Sequence, residues 1–445
     1  MPVESYAINN EKYQSIYGSA DISYKDFLFL TVTGRNDWYS TLAPGKINYL
    51  YPSVSGAFVF SELMDMPSMD LGKIRLSYAS VGGAADQPYQ TLQTYGIQGT
   101  LIVPSGQYPI GQAGGSTVPN SGLRPSQRQE FEVGTEMDFF KNRIRFDLAV
   151  FRKKVIDDIV PVTIDYTSGY NSALLNVGTL RVTGVELELG GTPIKNSKFS
   201  WDIDFNGTYN RSKIISLGGQ PQITLGSATP DWGSIAYVQQ IVGLPAQQII
   251  AAAPALDDKG NIIINPVTAA PDPSLSAPKD YGSAVPPWAL GVTNTFRFKH
   301  FNFSFLIDGK FGAKLFSNTN FVAYTQGLSK LTLPGRGQTF GTEGDMPATY
   351  YGNWANADQG LFVYDASFIK LRQLILGYDF PVKIFNNKIH GLRLSIVARN
   401  VLTLMKHTPN IDPESSYSAS VYSQGLESAS VPYSRTIGVN LNIKL

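Results

Sequence analysis

The chain has no cysteine, which removes disulfides, thiolate zinc sites and thiol nucleophiles together. Charge is scarce: charged residues make up 16 % of the 445, against about 25 % in an ordinary globular chain. The 36 Lys and Arg balance 35 Asp and Glu, so there is no basic footprint for nucleic acid. Long apolar runs are missing as well. The most apolar stretch, Ile249 to Leu256, is far short of the roughly 18 residues a spanning helix needs. The opening Met1-Pro2-Val3-Glu4-Ser5-Tyr6 has neither the basic start nor the apolar run of a secretory leader. Helix-forming stretches are few, because Gly, Asn, Thr or an aromatic interrupts nearly every one.

What the chain does have is 24 Tyr, 24 Phe, 42 Gly and 43 % hydrophobic residues, enough for extensive apolar burial and too many for general disorder. Those residues alternate. Phe199, Trp201, Ile203, Phe205 and Tyr209 fall on one face of a strand, and Ser200, Asp202, Asp204, Asn206 and Thr208 on the other. Ile144, Phe146, Leu148 and Val150 oppose Arg143, Arg145 and Asp147, and Ile437, Val439, Leu441 and Ile443 oppose Thr436, Gly438, Asn440 and Asn442. Ser367 to Tyr378 alternates less cleanly, which points to a bulge. Strands of a soluble sandwich also alternate, but they usually run about five or six residues. Alternation here persists for a dozen or so, the pattern of strands that cross a membrane as a barrel.

Thirteen strands are expected, near 12–24, 26–38, 48–62, 71–82, 128–140, 143–156, 178–191, 198–213, 287–298, 301–312, 367–380, 390–404 and 431–445. Their connections alternate between short and long, as periplasmic turns and extracellular loops do. The long ones include 83–127, 214–286, 313–366 and 405–430. Aromatics gather beside the short turns: Tyr24 and Phe27, Phe139 and Phe140, Phe296, Phe298, Phe301 and Phe303, then Phe380 and Phe385. That is where a girdle of amphipathic rings is expected. The last strand follows a long loop and must run down to the periplasm, so an odd count starts the first strand outside with an unpaired edge. A sheet in lipid has to close. The expectation is the C-terminal part of a longer barrel.

The motifs carry a resemblance. Tyr17-Gly18-Ser19-Ala20-Asp21, Thr33-Gly34-Arg35-Asn36-Asp37-Trp38 and Tyr51-Pro52-Ser53-Val54-Ser55 resemble the SusC/RagA family of TonB-dependent outer-membrane transporters. So do Gly72-Lys73-Ile74-Arg75, Leu123-Arg124-Pro125, Asn176-Val177-Gly178, Gly184-Val185-Glu186, Phe368-Ile369-Lys370-Leu371 and Ala398-Arg399-Asn400, in order along nearly the whole chain. The resemblance implies an all-β transmembrane antiparallel barrel of about 22 strands with a plugged lumen. It also implies uptake of oligosaccharide or peptide driven through TonB, beneath a SusD-like surface lipoprotein. The plug, TonB box and signal peptide would lie outside this sequence.

Chemistry is sparse. His300, His390 and His407 are scattered, without HExxH spacing, so no metal or other cofactor is expected. Gly111, Gly114 and Gly115 lack the strand and helix of a phosphate loop. Asp257-Asp258-Lys259-Gly260-Asn261 has only part of a calcium-loop pattern and reads better as a solvated turn. Asp157-Asp158 is a carboxylate pair at a loop mouth. None of these makes an enzyme. Function is expected in the long loops, where Trp232, Trp354, Tyr350, Tyr351, Tyr364 and Tyr417 are candidates to stack on sugars or anchor a partner. Loop-to-loop packing is the alternative for each. Arg145, Asp147, Asp202 and Asp204 should face the lumen, available to plug or substrate. A plugless porin or adhesin, or a soluble secreted all-β glycan binder, are the rival readings.

Overall fold

The computed structural model describes residues 10–84, 88–104, 106–227, 235–334, 347–381, 390–418 and 423–444. Its main sheet runs through thirteen antiparallel strands in strict chain order. They are β1 (Tyr13–Tyr24), β2 (Leu28–Tyr39), β3 (Asn48–Val59), β4 (Met69–Gly83), β5 (Ser126–Phe139), β6 (Ile144–Thr163) and β7 (Ser172–Lys195), then β8 (Phe199–Leu217), β9 (Trp288–Phe298), β10 (Phe301–Phe311), β11 (Phe368–Phe380), β12 (Gly391–Lys406) and β13 (Thr436–Lys444). Each strand pairs with its neighbours in this order, a meander that tight turns at one end make inevitable; β7 also takes the short strand Thr117–Val118 in parallel. The turn between β5 and β6 holds Phe140, Lys141 and Asn142 all at positive φ.

Three strands outrun their expected ends. β6, β7 and β8 reach 20, 24 and 19 residues, so the connection anticipated at 157–177 shrinks to 164–171. The reason is local. Asp157 takes φ +56° and the β6–β7 register slips between Asn176 and Leu180, a bulge that breaks period two without ending the strand. The bulge expected in β11 is also present. Leu306 pairs with Gln373 and Ile307 with Leu371, leaving Arg372 without a partner on β10; β12 skips it too.

Register fixes the faces. Directly paired residues share a side, so Phe146, Leu189 and Met137 lie together, as do Leu148, Leu187 and Thr135, and Val150, Val185 and Val133. This face is exposed, with Val150 at 50 %, Leu76 at 50 % and Val439 at 72 %. Beside the short turns the expected girdle forms a run of rings: Trp201 stacks on Phe296 at 5.8 Å, and Phe296 on Phe303 at 6.1 Å. Phe301, Tyr378 and Phe380 continue it at 4.9 Å spacings. Phe385 lies outside the described residues. Among those described, no helix is long and apolar enough to cross a membrane, which says nothing of a barrel.

The long loops fold on each other. Loop 218–287 builds a four-stranded sheet from Gln222–Ser227, Tyr237–Ile241, Gln248–Ala253 and Ala277–Ser283. The loop after β10 adds α1 (Asn318–Thr325) and α2 (Pro347–Ala357), and its strand Lys314–Ser317 pairs with Leu426–Glu427 from the loop after β12. Val238, Ile249, Phe316, Phe321, Ala355, Phe362 and Leu426, drawn from all three loops, form one buried core.

Candidate functional site

The face opposite the apolar one carries charge, and the four expected lumen residues all fall on it. They do not stand free. Arg75 of β4 grips Asp147 of β6 with two hydrogen bonds of 2.7 Å, Arg145 of β6 reaches Asp204 of β8 at 2.6 Å, and Arg297 of β9 reaches Asp202 at 2.6 Å. Lys73 pairs with Glu136, and Arg75 also meets Glu132 at 3.4 Å. Two of these pairs span an intervening strand, which glycine permits. A Cβ on Gly134 would come within 2.5 Å of the Arg75 Nε, and one on Gly190 within 2.5 Å of an Arg145 guanidinium nitrogen. Gly190 sits in register between Arg145 and Asp204. The partners Arg75 and Arg297 and these glycine gaps escaped the sequence reading; parity marks them as inward, but only pairing shows who meets whom.

Above this wall a cavity of about 1220 Å³ opens beneath the loop assembly. Its floor and side are Arg128, Phe151, Lys153, Val182, Glu186 and Asn210 of β5 to β8, and its roof includes Leu225, Gln240, Gln247 and Val285. Lys153 pairs with Glu130 at 3.3 Å and lies 4.5 Å over the Phe151 ring. The Asn210 side-chain oxygen is buried with no hydrogen-bond partner, beside Gly184 on the neighbouring strand. Mixed charge and apolar surface suit a polar solute with hydrophobic faces.

A second cluster ties the loop after β12 to the wall. The Lys370 ammonium, on a residue 4 % exposed, holds both oxygens of Asp412 at 2.8 and 2.9 Å and Glu414 at 2.8 Å. The bulged Arg372 grips Asp308 and reaches Glu414 at 2.9 Å. Burial alone would raise the Glu414 carboxyl, but Lys370 and Arg372 outweigh it and hold the carboxyl below its ordinary range. Alternation shows that Lys370 faces inward; that the bulge adds Arg372 beside it does not follow from alternation.

The loop aromatics are brought together as packing. Tyr350 and Tyr351 meet at 5.1 Å, Tyr351 and Tyr324 at 5.3 Å, and Tyr350 and Trp354 at 6.4 Å, all edge to face. Tyr364 accepts a hydrogen bond from Asn320, and Tyr417 packs on the loop core and accepts one from Ser423. The Trp354 ring nitrogen is buried without a partner. Burial pushes the Tyr281 and Tyr324 hydroxyls up to about 12. Trp232 lies outside the described residues. Asp257 accepts hydrogen bonds from the Lys259 and Asn261 backbone N–H groups at 2.9 and 2.8 Å, closing the solvated turn. Asp157 pairs with Arg124 at 2.8 Å. Among the described residues no group of three or more His, Asp or Glu is placed to hold a metal.

The protein-family model described as "TonB dependent receptor-like, beta-barrel" matches residues 2–401. The TonB-dependent receptor P26 of Formosa agariphila is 25 % identical, covering 96 % of this chain and 46 % of the relative. The TonB-dependent receptor SusC of Bacteroides thetaiotaomicron is 23 % identical over 92 % of this chain and 42 % of its own length. Among solved structures, the RagAB peptide importer in its "closed-closed" state superposes with a TM-score of 0.76 at 21 % identity, over 97 % of this chain and 47 % of that one. The chain thus spans less than half the length of these relatives.

Proposed function

The chain belongs to the TonB-dependent receptor-like β-barrel family, and from that premise we propose that it forms wall and outer loops of an outer-membrane nutrient importer. The cargo is an oligosaccharide or a peptide. Energy comes through TonB, and a SusD-like lipoprotein covers the loop assembly. The observation that carries the reading is the inverted polarity of the sheet: ion pairs line one face while the other exposes a continuous apolar band. A face of that size in water would aggregate, and in a bilayer it is the buried side. The cavity between wall and loops is where cargo would rest before translocation, with Asn210 and Lys153 among the polar side chains that line it. The likeness to the RagAB peptide importer supports peptide as one of the two cargo classes.

The test is uptake of labelled oligosaccharides and peptides by cells carrying the native protein, with and without TonB. Energy-dependent accumulation of one class, weakened by Asn210→Leu, is the expected result. Uptake that is indifferent to TonB would favour a passive pore, and no uptake with surface binding would favour an adhesin. A spin label at Val150 that reports water rather than lipid would sink the membrane reading altogether.

A further inference from the structure

Above the apolar band, the outward face of three adjacent strands changes character. Register places Lys154 of β6 opposite Arg181 of β7, and Arg181 opposite Lys213 of β8. One step lower Arg152, Thr183 and Arg211 line up in the same way. Neighbours confirm the side. Lys153, Val182 and Ser212, which alternate with these residues, line the internal cavity, so Arg152, Lys154, Arg181 and Lys213 point the other way, while Arg211 borders the cavity. Four cations therefore share one outward patch.

They are unpaired. Carboxylates of this stretch are committed inward or upward: Glu130 to Lys153, Asp147 to Arg75, Asp204 to Arg145 and Asp157 to Arg124. Among the described residues none of the four has an ion-pair partner. Lys154, Lys213 and Arg152 are exposed.

Their height is informative. From Ile144 at the lower turn to Arg152 is eight residues, a rise of about 20 Å for a strand tilted at about 40°. The lipid-facing band of such barrels is about 25 Å tall. The upper aromatic belt marks the same level: Tyr209 and Trp288 pack at 4.5 Å, and Tyr209 pairs with Val185, two alternations below Arg181 on the same face. The cations thus begin where hydrocarbon gives way to headgroups on the extracellular side.

We propose that Arg152, Lys154, Arg181 and Lys213 form a binding site for phosphate-bearing lipid headgroups of the outer leaflet. Guanidinium and ammonium groups on adjacent strands, about 5 Å apart, match phosphates clustered on one headgroup. A carboxylate-rich partner protein would demand a patch clear of the bilayer, whereas this one borders the apolar band directly. The inference rests on the membrane-spanning reading, so its test must fail separately from it.

The protein, extracted from outer membranes in mild detergent, is titrated with a diphosphorylated glycolipid, the same lipid dephosphorylated, and inorganic phosphate. The expected result is at least tenfold preference for the diphosphorylated lipid and negligible binding of free phosphate. Loss of each cation should weaken retention about fivefold, so Lys154→Gln, Arg181→Gln and Lys213→Gln together should cost about a hundredfold. Lys299→Gln, at the lower turn, should leave retention intact. Equal binding of the two lipids, an unaffected triple variant, or capture of an acidic protein without lipid selectivity would each overturn the proposal. So would equally tight binding of inorganic phosphate. A Val150 spin label in the triple variant reads insertion independently: lipid contact without phosphate selectivity removes this site alone, and loss of lipid contact removes the barrel reading beneath it.

Discussion

The strand wall and the loop assembly obey opposite rules of burial. In the wall, Val150, Leu76 and Val439 are exposed while Arg75, Asp147, Arg145 and Asp204 pair on the inner side. In the loops, Phe316, Leu426 and Val238 are fully buried, as in any soluble domain, and the buried Glu427 accepts hydrogen bonds from Ser317 and Thr319. One chain is thus written for two solvents, and the boundary falls where the strands leave the membrane. Apolar side chains go wherever water is not: toward lipid in the wall, toward each other in the cap.

The largest test of that contrast is at the seam. Lys370→Ala strands the carboxylate of Asp412 and leaves Glu414 to Arg372 as its remaining close cation, and loop docking should weaken by about 3–5 kcal/mol. Limited proteolysis of the loop after β12 reads this, and Lys370→Met, which keeps the stem and loses the charge, should cost as much docking as Lys370→Ala; a Met variant that docks normally would make charge pairing irrelevant. The same seam carries a pH dependence. Glu414 has its carboxyl held below 4.5 in the folded state, so its contribution is complete above that value and disappears as pH falls through the lowered one. Proteolysis followed from pH 6 to pH 3 should accelerate only at the acid end.

Next comes the lipid face. Leu148→Arg places a charge in the middle of the apolar band and should cost about 2–4 kcal/mol in vesicles, read by denaturant unfolding; a soluble sheet would tolerate it. Gly190→Val tests the inner face by blocking the path of Arg145 to Asp204, at about 1–3 kcal/mol of overpacking. The smallest effect belongs to Arg145→Gln. Both members of that pair are about half exposed to the lumen, so at most about 1 kcal/mol is expected. Equal penalties for Leu148→Arg and Arg145→Gln would erase the distinction between the faces.

All thirteen wall strands were legible, because a sheet between lipid and water stamps period two on every strand. Ile144, Phe146, Leu148 and Val150 are apolar for one reason, independent of what their neighbours do. Strand ends were less legible: β6 continues past Asp157 because a bulge shifts the phase, and phase is all that alternation reports. Alternation puts Arg145, Asp147, Asp202 and Asp204 opposite the apolar face, but it does not show their partners. The loops were the least readable. Tyr350, Tyr351 and Trp354 stood out as exposed candidates, whereas α2 folds them into an aromatic cluster beside Tyr324 and Phe362. Irregular loops have no periodicity that separates a contact residue from a core residue.

The amino-acid order by itself determined the sheet, its two faces, the sorting of short and long connections and the girdle of rings at the turns. Each follows from local alternation set by the surrounding medium. Tertiary structure alone decided that Arg75 and Arg145 cross glycine gaps to carboxylates two strands away. It also decided that the Arg372 bulge joins Lys370 at the seam, and that three loops far apart in sequence share one core above a cavity. Those depend on register and on long-range closure, where a shift of one residue changes every partner.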